Sequence, residues 1–228
     1  MVRAADLLYR LLYGGVLSRL PERIAVPLGQ WALRLVPLDL LPVFRNDDPR
    51  LAITLGGVRL PNPLILSSMY YDTTILRRAM GLGFGAVTAK SITSKPRPGH
   101  PQPNLVRITT PEGPGLVNCN GFHNPGLDAY RIALASLPHR VEEPRLSQKA
   151  GGLSGPALFA RTLENVRRLR EKFGDSIEII ATGGIDAPDK AQQVLQAGAT
   201  ACGYFTGFIT RGPLLARRIL DALVKARR

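Results

Sequence analysis

Two glycine-bearing loops in the C-terminal part of the chain have residue types that suit phosphate binding. Gly183-Gly184 follows one short apolar run, and Thr206-Gly207 follows the next. Backbone N–H groups between a parallel strand and a helix form a good anion site, and glycine lets a phosphate approach because it has no Cβ. The pattern predicts a phosphate site, with simple chain turning as the alternative use of these glycines.

Polar residues also follow three other predicted strands. Ser67-Ser68 ends one, residues 90–93 beginning with Lys90 end a second, and residues 118–122 beginning with Asn118 end a third. In a barrel of alternating strands and helices, the active site lies at the carboxyl ends of the strands. We therefore expect these groups to gather on the same side of the molecule as the glycine loops.

The elements that carry the glycine loops follow the order strand, helix, strand, helix. Residues 177–185 are a predicted buried strand, Pro188 suits a helix start, and a second helix begins near Gly212-Pro213. Such alternation implies parallel strands joined by crossover helices. Residues 64–66 and 83–89 are further predicted strands around a helix at 73–82.

Outside these units the sequence predicts hairpins and longer helices. The hairpins pair residues 51–55 with 58–60 and 104–108 with 115–117, and the helices cover 128–137 and 156–173. Residues 138–155 show no regular pattern. The predicted fold class is α/β, as an incomplete (β/α) barrel of the TIM type with about four βα units.

Composition narrows the class of partner. The chain has 228 residues, an ordinary 45% hydrophobic content and a net charge of +13, which favours an anionic partner. Aromatic residues make up only 6%, so there is no base-stacking platform, and we expect no nucleic-acid partner. Cys119 and Cys202 lie far apart and the three histidines lack ligand spacing, which predicts neither a disulfide nor a metal site.

The sequence pattern of residues 1–44 predicts a pair of basic amphipathic helices. Leu7, Leu8, Leu11 and Leu12 form an apolar stripe flanked by arginines, and Trp31 lies in the second segment. This pattern is typical of helices that lie on a membrane surface, while the alternative is a helical cap packed on the main domain. No apolar run reaches the roughly 20 residues of a membrane span.

The motifs together resemble the dihydroorotate dehydrogenases, the FMN enzymes of pyrimidine synthesis. The resemblance rests on residues 60–63, 81–86, 93–103, 117–124, 151–155 and 177–213. The N-terminal helices followed by residues 48–57 look like the membrane-associated class that reduces quinone. Lys90, within residues 89–93, looks more like the soluble class. The resemblance implies a cytoplasmic protein bound peripherally to the membrane, with residues 1–44 as the helical segment and 45–228 as the FMN-binding domain.

The resemblance also implies roles for particular residues. The residues implied to bind FMN are Ser68, Met69, Tyr70, Ser91, Gly155, Gly184, Phe205, Thr206 and Gly207. Among them, Gly155, Gly184, Phe205 and Thr206 would hold the phosphate. Lys90, Asn118, Gly121 and Phe122 would contact dihydroorotate or orotate, and the Lys90 charge suits an anionic substrate.

The sequence departs from the family pattern at several points. Asp72 stands where the membrane class has a lysine, and Cys119 and Asn120 replace the usual residues before Gly121. A complete barrel needs about 250 residues, and the family's third to sixth strands would fall in a deletion near residues 138–150. The loop that carries the catalytic base is expected to be missing with them, so no catalytic residue is assigned.

Three functions remain open from the sequence. The first is oxidation of dihydroorotate to orotate with FMN and quinone, at impaired activity; the second is a non-catalytic FMN- or phosphate-binding half-barrel. The third is a basic membrane-surface or nucleic-acid-binding protein. In the barrel, strands one, two, seven and eight are neighbours, so they would form a half-barrel with two open edges. Such edges favour a homodimer, with a monomer covered by residues 138–155 as the alternative.

Overall fold

Four short parallel strands form the central sheet. The computed structural model describes residues 2–35, 37, 40–68, 70–91, 93–126, 140–142 and 150–226. The sheet has the order β4-β3-β10-β9, with β3 at Leu64–Leu66, β4 at Ala86–Val87, β9 at Ile180–Thr182 and β10 at Ala201–Tyr204. All three pairings are parallel. The predicted neighbourhood of the first, second, seventh and eighth barrel strands is confirmed.

One face of this sheet is the core of the molecule. Leu64 and Leu66 of β3, Cys202 and Tyr204 of β10, and Ala181 of β9 all belong to one buried cluster. Because side chains alternate along a strand, Ile180 and Thr182 point to the other face, and both are exposed. The sheet therefore has a helix-covered face and a face that an intact barrel would enclose.

Helices cover the core face. They are α3 at Thr73–Gly81, α4 at Phe159–Phe173, α5 at Pro188–Gln196, α6 at Thr206–Arg211 and α7 at Leu215–Ala226. Pro188 opens α5, as predicted, because the missing proline N–H has no partner in the first turn of a helix. The helix predicted near Gly212-Pro213 begins at Leu215, and the short α6 before it was not predicted.

Antiparallel strands form two further sheets. The predicted hairpin around Gly56-Gly57 is confirmed as β1 (Ile53–Leu55) and β2 (Val58–Leu60). The second predicted hairpin is confirmed as β5 (Leu105–Thr110) and β6 (Gly113–Asn118).

The expectation that residues 138–155 are irregular is wrong in part. Residues Arg140–Glu142 form β7 and Ala150–Ser154 form β8, and these strands extend the second hairpin into a sheet of order β5-β6-β8-β7. Strand β8 is stabilised by backbone hydrogen bonds to β6. Its glycine-rich sequence has no alternating apolar pattern that would predict a strand. The helix predicted at 128–137 lies outside the described residues.

Two N-terminal helices dock on the main domain through polar contacts. They are α1 (Val2–Leu12) and α2 (Glu22–Leu35). Tyr9 donates its hydroxyl proton to the Ile209 carbonyl at 2.6 Å, and Asp6 pairs with Arg218 at 3.1 Å. Within the described part of the chain, no helix combines the length and hydrophobicity that crossing a membrane would require.

Asp72, which departs from the family pattern, has a structural role. Its side chain accepts a hydrogen bond from the Ile75 N–H and so caps α3, and it pairs with Arg34 of α2 at 2.6 Å. Burial alone would raise the pKa of this carboxyl, but the hydrogen bonds and Arg34 outweigh burial and lower it. Asp72 therefore fastens α2 to the barrel instead of serving as a site residue.

Candidate functional site

A cavity of about 460 Å³ lies at the carboxyl ends of β9 and β10. We call it the loop cavity. It is lined by Gly155, Gly183, Gly184, Phe205, Thr206 and Gly207 from three loops, and by Ser67, Ser154, Thr182, Arg161 and Asp186 among others. Five residues that the resemblance implied for FMN thus meet around one space, which is of the usual size for a small-molecule site.

Two of the cavity glycines are required by the packing of the chain itself. Gly184 has φ +75°, and a Cβ there would lie 2.4 Å from the Phe159 nitrogen. Gly155 has φ +119°, and a Cβ there would lie 2.8 Å from the Gly115 Cα. Both backbone conformations strongly favour glycine. A substitution at either position would distort the loops whether or not a ligand binds, so neither can report on a ligand.

Hydroxyl groups tie the cavity walls together. Thr206, which is buried, donates to the Ser154 hydroxyl at 2.9 Å, and Ser154 donates to the Leu116 carbonyl at 3.2 Å. This chain joins the β10 loop to the antiparallel sheet. On the opposite wall the Ser67 and Thr182 hydroxyls lie 2.8 Å apart, and Thr182 donates to the Gly203 carbonyl. Ser67 is therefore the donor to Thr182.

A buried carboxylate on the cavity wall holds two cations. Asp186, whose side chain is only 4% exposed, pairs with Lys190 at 2.7 Å and with Arg211 at 2.8 Å. Lys190 also lies 5.1 Å above the Phe159 ring. Asp186 and Arg161 are the charged residues of the lining, and Lys190 and Arg211 balance the charge of Asp186 without lining the cavity themselves. Sequence reasoning missed Asp186, although its place directly after Gly183-Gly184-Ile185 at a strand end was a usable signal.

The residues implied to lie beside a flavin ring sit in the loops after β3 and β4. The Ser68 hydroxyl donates to the Ala89 carbonyl at 3.2 Å, and the Lys90 N–H donates to the Tyr70 carbonyl at 2.9 Å. The two loops are therefore neighbours. Neither Ser68, Tyr70 nor Ser91 lines the loop cavity. Met69 lies outside the described residues.

Two of these side chains are in low-polarity surroundings. Burial raises the pKa of Tyr70 to about 12. Burial lowers the pKa of Lys90, because desolvation penalises the ammonium form. A desolvated ammonium gains more from an anionic partner than an exposed one does, which makes Lys90 a suitable contact for a carboxylate.

Three of the four residues implied to contact substrate, Asn118, Gly121 and Phe122, lie on a loop braced by Asn124. Asn118 ends β6, and Phe122 has a strained φ of +55° with an exposed ring. Buried Asn124 holds this conformation, since its amide donates to the Phe122 carbonyl at 2.5 Å. Gly121, at φ +66°, packs against His100, where a Cβ would lie 2.8 Å from Cδ2. These substrate candidates do not line the loop cavity.

The sequence profile of one protein family, described as "Dihydroorotate dehydrogenase", matches this chain over residues 50–142 and 132–226. The chain is 26% identical to "Dihydroorotate dehydrogenase (quinone)" of Chloroflexus aurantiacus over 302 aligned positions, covering 78% of this chain and 83% of the relative. It is also 26% identical to the protein of that name from Mycobacterium marinum over 334 positions, covering 92% of each.

These alignments are longer than the chain itself. An aligned span of 302 positions exceeds the 228 residues present, so part of the aligned region of the Chloroflexus relative has no counterpart here. The family profile likewise matches in two sections that overlap at residues 132–142. Both observations place the length difference inside the matched region.

Solved structures share the fold. DHODH of Eimeria tenella in complex with ferulenol has a TM-score of 0.75 at 19% identity, covering 94% of each chain. The ligand-free DHODH of the same organism has a TM-score of 0.71 and covers 87% of this chain and 93% of that one. The predicted fold class is confirmed as a barrel-type α/β fold, and among the described residues the barrel is not closed.

Replacing Asp186 tests the charged wall of the loop cavity. The Asp186→Asn change removes the negative charge from between Lys190 and Arg211, and we expect it to lower the free energy of unfolding by about 2 kcal/mol, because it leaves two cations facing each other. The measurement is urea denaturation followed by circular dichroism.

The matched control is Asp175→Asn. Asp175 also pairs with an arginine, Arg170, but its side chain is fully exposed. We expect a change of less than about 0.5 kcal/mol there. Equal losses of stability in the two variants would contradict the assignment of a special role to the buried carboxylate.

Proposed function

This chain belongs to the dihydroorotate dehydrogenase family, and on that premise we propose that it oxidises dihydroorotate to orotate in pyrimidine synthesis, with FMN as cofactor and quinone as electron acceptor. The reaction removes two hydrogens from adjacent ring carbons of the substrate, one as a proton and one as a hydride. FMN supplies the redox chemistry when bound, while the protein binds and orients the reactants.

The observation that carries the proposal is the meeting of three loops around the loop cavity. Gly155, Gly184 and Thr206 come from separate segments of the chain and line the same cavity. The resemblance assigned all three to the same phosphate group. The chemistry of the walls fits that assignment. The lining offers backbone at glycines, the Thr206 hydroxyl and the Arg161 guanidinium, while Lys190 and Arg211 balance the single negative charge of Asp186.

We assign the substrate to the adjoining loops. Lys90 would face the carboxylate of dihydroorotate or orotate, and Asn118 would place its amide on a polar edge of the ring. Gly121 and Phe122 would complete the contact, on the loop that Asn124 braces. In this proposal the backbone at Ser68, Met69 and Tyr70 and the Ser91 side chain lie against the flavin.

We propose that activity is impaired. We assign no described residue as the catalytic base, and the described parallel sheet has four strands where a complete barrel has eight. A general base typically contributes ~10²–10⁴-fold to the rate. The open barrel therefore also favours a second candidate function, a non-catalytic half-barrel that binds FMN.

We propose further that residues 1–44 attach the protein peripherally to the cytoplasmic membrane surface, where quinone is found. The apolar side chains of both helices are strongly exposed, with Leu8 at 68% and Trp31 at 58%. An exposed apolar patch of this kind suits a membrane boundary, and the flanking arginines suit anionic headgroups. The alternative of a cap with its apolar stripe buried on the domain is disfavoured by this exposure.

Thr206→Val tests the phosphate site without changing side-chain shape. We expect FMN affinity to fall by about 5- to 20-fold, because the variant removes a hydroxyl that, on phosphate binding, would turn its proton from Ser154 to the phosphate. Riboflavin lacks the phosphate, and its affinity should be the same for wild type and variant. Flavin fluorescence quenching measures both.

The matched control is Thr210→Val on the same helix. Thr210 is buried and donates to the Thr206 carbonyl, but it does not line the loop cavity. Its FMN affinity should equal that of wild type. If FMN binds tightly and Thr206→Val does not change its affinity, the phosphate must bind at another site.

Membrane attachment is tested by replacing exposed apolar residues of the helices. The double change Leu8→Gln with Trp31→Gln should weaken binding to phosphatidylglycerol-containing vesicles at least about tenfold. It replaces two apolar side chains that the lipid would bury. The control double change, Val58→Gln with Met80→Gln, removes two exposed apolar side chains elsewhere. Equal loss in both, measured by vesicle flotation, would exclude the helices as the attachment site.

Turnover tests the function itself. With FMN, dihydroorotate and a soluble quinone, we expect kcat below about 0.1 s⁻¹, since a typical enzyme value of about 10 s⁻¹ is reduced by the missing base. A kcat near 10 s⁻¹ would refute the impairment.

Orotate affinity tests the role of Lys90. Orotate should bind Lys90→Met at least about tenfold more weakly than wild type, and the exposed Lys95→Met is the control. Orotate binding to wild type should also weaken as pH rises through the lowered pKa of Lys90, because the ammonium is lost.

A further inference from the structure

The central sheet ends in two strands that have only one neighbour each among the described residues. These edge strands are β4 (Ala86–Val87) and β9 (Ile180–Thr182). Because all four strands are parallel, the two edges run in the same direction. The edge of β9 is therefore a complementary partner for the edge of β4, provided that the two belong to different copies.

The outer backbone groups of β9 are directed away from the sheet. The Ile179 carbonyl accepts bonds from the Thr200 and Ala201 N–H groups and so faces β10. Groups alternate in direction along a parallel strand, so the N–H and C=O of Ile180 face the open edge. At Thr182 the outward carbonyl accepts only a long bond, 3.3 Å, from the Thr162 hydroxyl of α4.

An apolar side chain beside this edge lies on the face that a closed barrel would enclose. Ile180 is 51% exposed, whereas Ala181 next to it packs into the core. On the same face, Ile65 pairs in register with Ala86 at the opposite edge. The two edges thus offer both backbone pairing and one continuous interior face.

We propose that two copies of this chain pair β9 of one with β4 of the other and so close an eight-stranded parallel barrel. A two-fold axis along the strands keeps every strand parallel and joins both pairs of edges at once. Four strands from each copy give the eight with which such barrels close. The assembly would enclose Ile180 and carry two loop cavities, and it does not depend on FMN binding.

Charge opposes this assembly. Each copy carries a net charge of +13, so two copies repel each other at low ionic strength. Salt screens that repulsion over about 10 Å at 0.1 M. We therefore expect the dimer to become tighter as the salt concentration rises from about 50 to about 500 mM. An association held by charge pairs would instead weaken over this range.

The experiment is light scattering and sedimentation of the full-length protein in a mild detergent that covers the N-terminal helices. We expect a protein mass of twice 24.8 kDa at micromolar concentration. The Ile180→Lys change should weaken the dimer roughly 100-fold or more, because it places a charge in the enclosed interior. The monomer tolerates this change, since the side chain is half exposed.

The matched control is Leu8→Lys. It adds the same charge at an exposed leucine on α1, a helix that contacts the domain at Ile209 and Arg218 and is not part of either edge strand. This variant should stay dimeric. A wild-type monomer at micromolar concentration overturns the proposal, and so does a dimer that survives Ile180→Lys.

Hydrogen exchange gives a readout that needs no folded variant. The Ile180 amide and the β4 peptide of wild type should exchange more slowly as protein concentration rises through the dimer range. Protection that is the same at all concentrations would mean that the edges are covered within one chain, and it would overturn the paired barrel. A dimer whose edges gain no protection would overturn it as well.

Discussion

The parallel pairing of β3 with β10 is the constraint on which the rest of the structure depends. It joins Ile65 to Gly203 across most of the chain, and β4 and β9 then attach on either side. Its register decides which side chains enter the core. It also brings the loop after β3 and the loop after β10 to the same end of the sheet, where the loop cavity forms. A slip of one residue would exchange the two faces.

The sequence predicted the parts of the fold that have a local signal. Apolar runs ending in glycine located β9 and β10, Pro188 located α5, and the order of units implied that the four strands are neighbours. Strand β8 was missed because its residues 150–154 lack an alternating apolar pattern, and its pairing with β6 is fixed only in the folded chain. The position of Asp186 after a strand could be read from the sequence, but its pairing with Arg211 could not, since Arg211 lies 25 residues further along the chain.

Many acidic side chains form internal ties in this very basic chain. Asp6 pairs with Arg218, Glu22 with Arg107 and Asp72 with Arg34, and all three pairs fasten the N-terminal helices to the domain. Asp186 and Asp221 pair with cations inside the domain. Because carboxylates are engaged internally, the excess of Lys and Arg remains for the outside of the molecule. An anionic lipid surface and a phosphate ligand are the two partners that such an excess suits best.

The helix α6 links these two places physically. It begins at Thr206 in the wall of the loop cavity and ends at Arg211, which binds Asp186 in the same wall. One turn along, its Ile209 carbonyl holds the Tyr9 hydroxyl of α1 at 2.6 Å, a contact buried enough to raise the pKa of Tyr9 strongly. Helix α6 is six residues long, so the α1 contact at Ile209 lies within one turn of both Thr206 and Arg211. The proposed membrane helices and the proposed phosphate site therefore contact the same short helix.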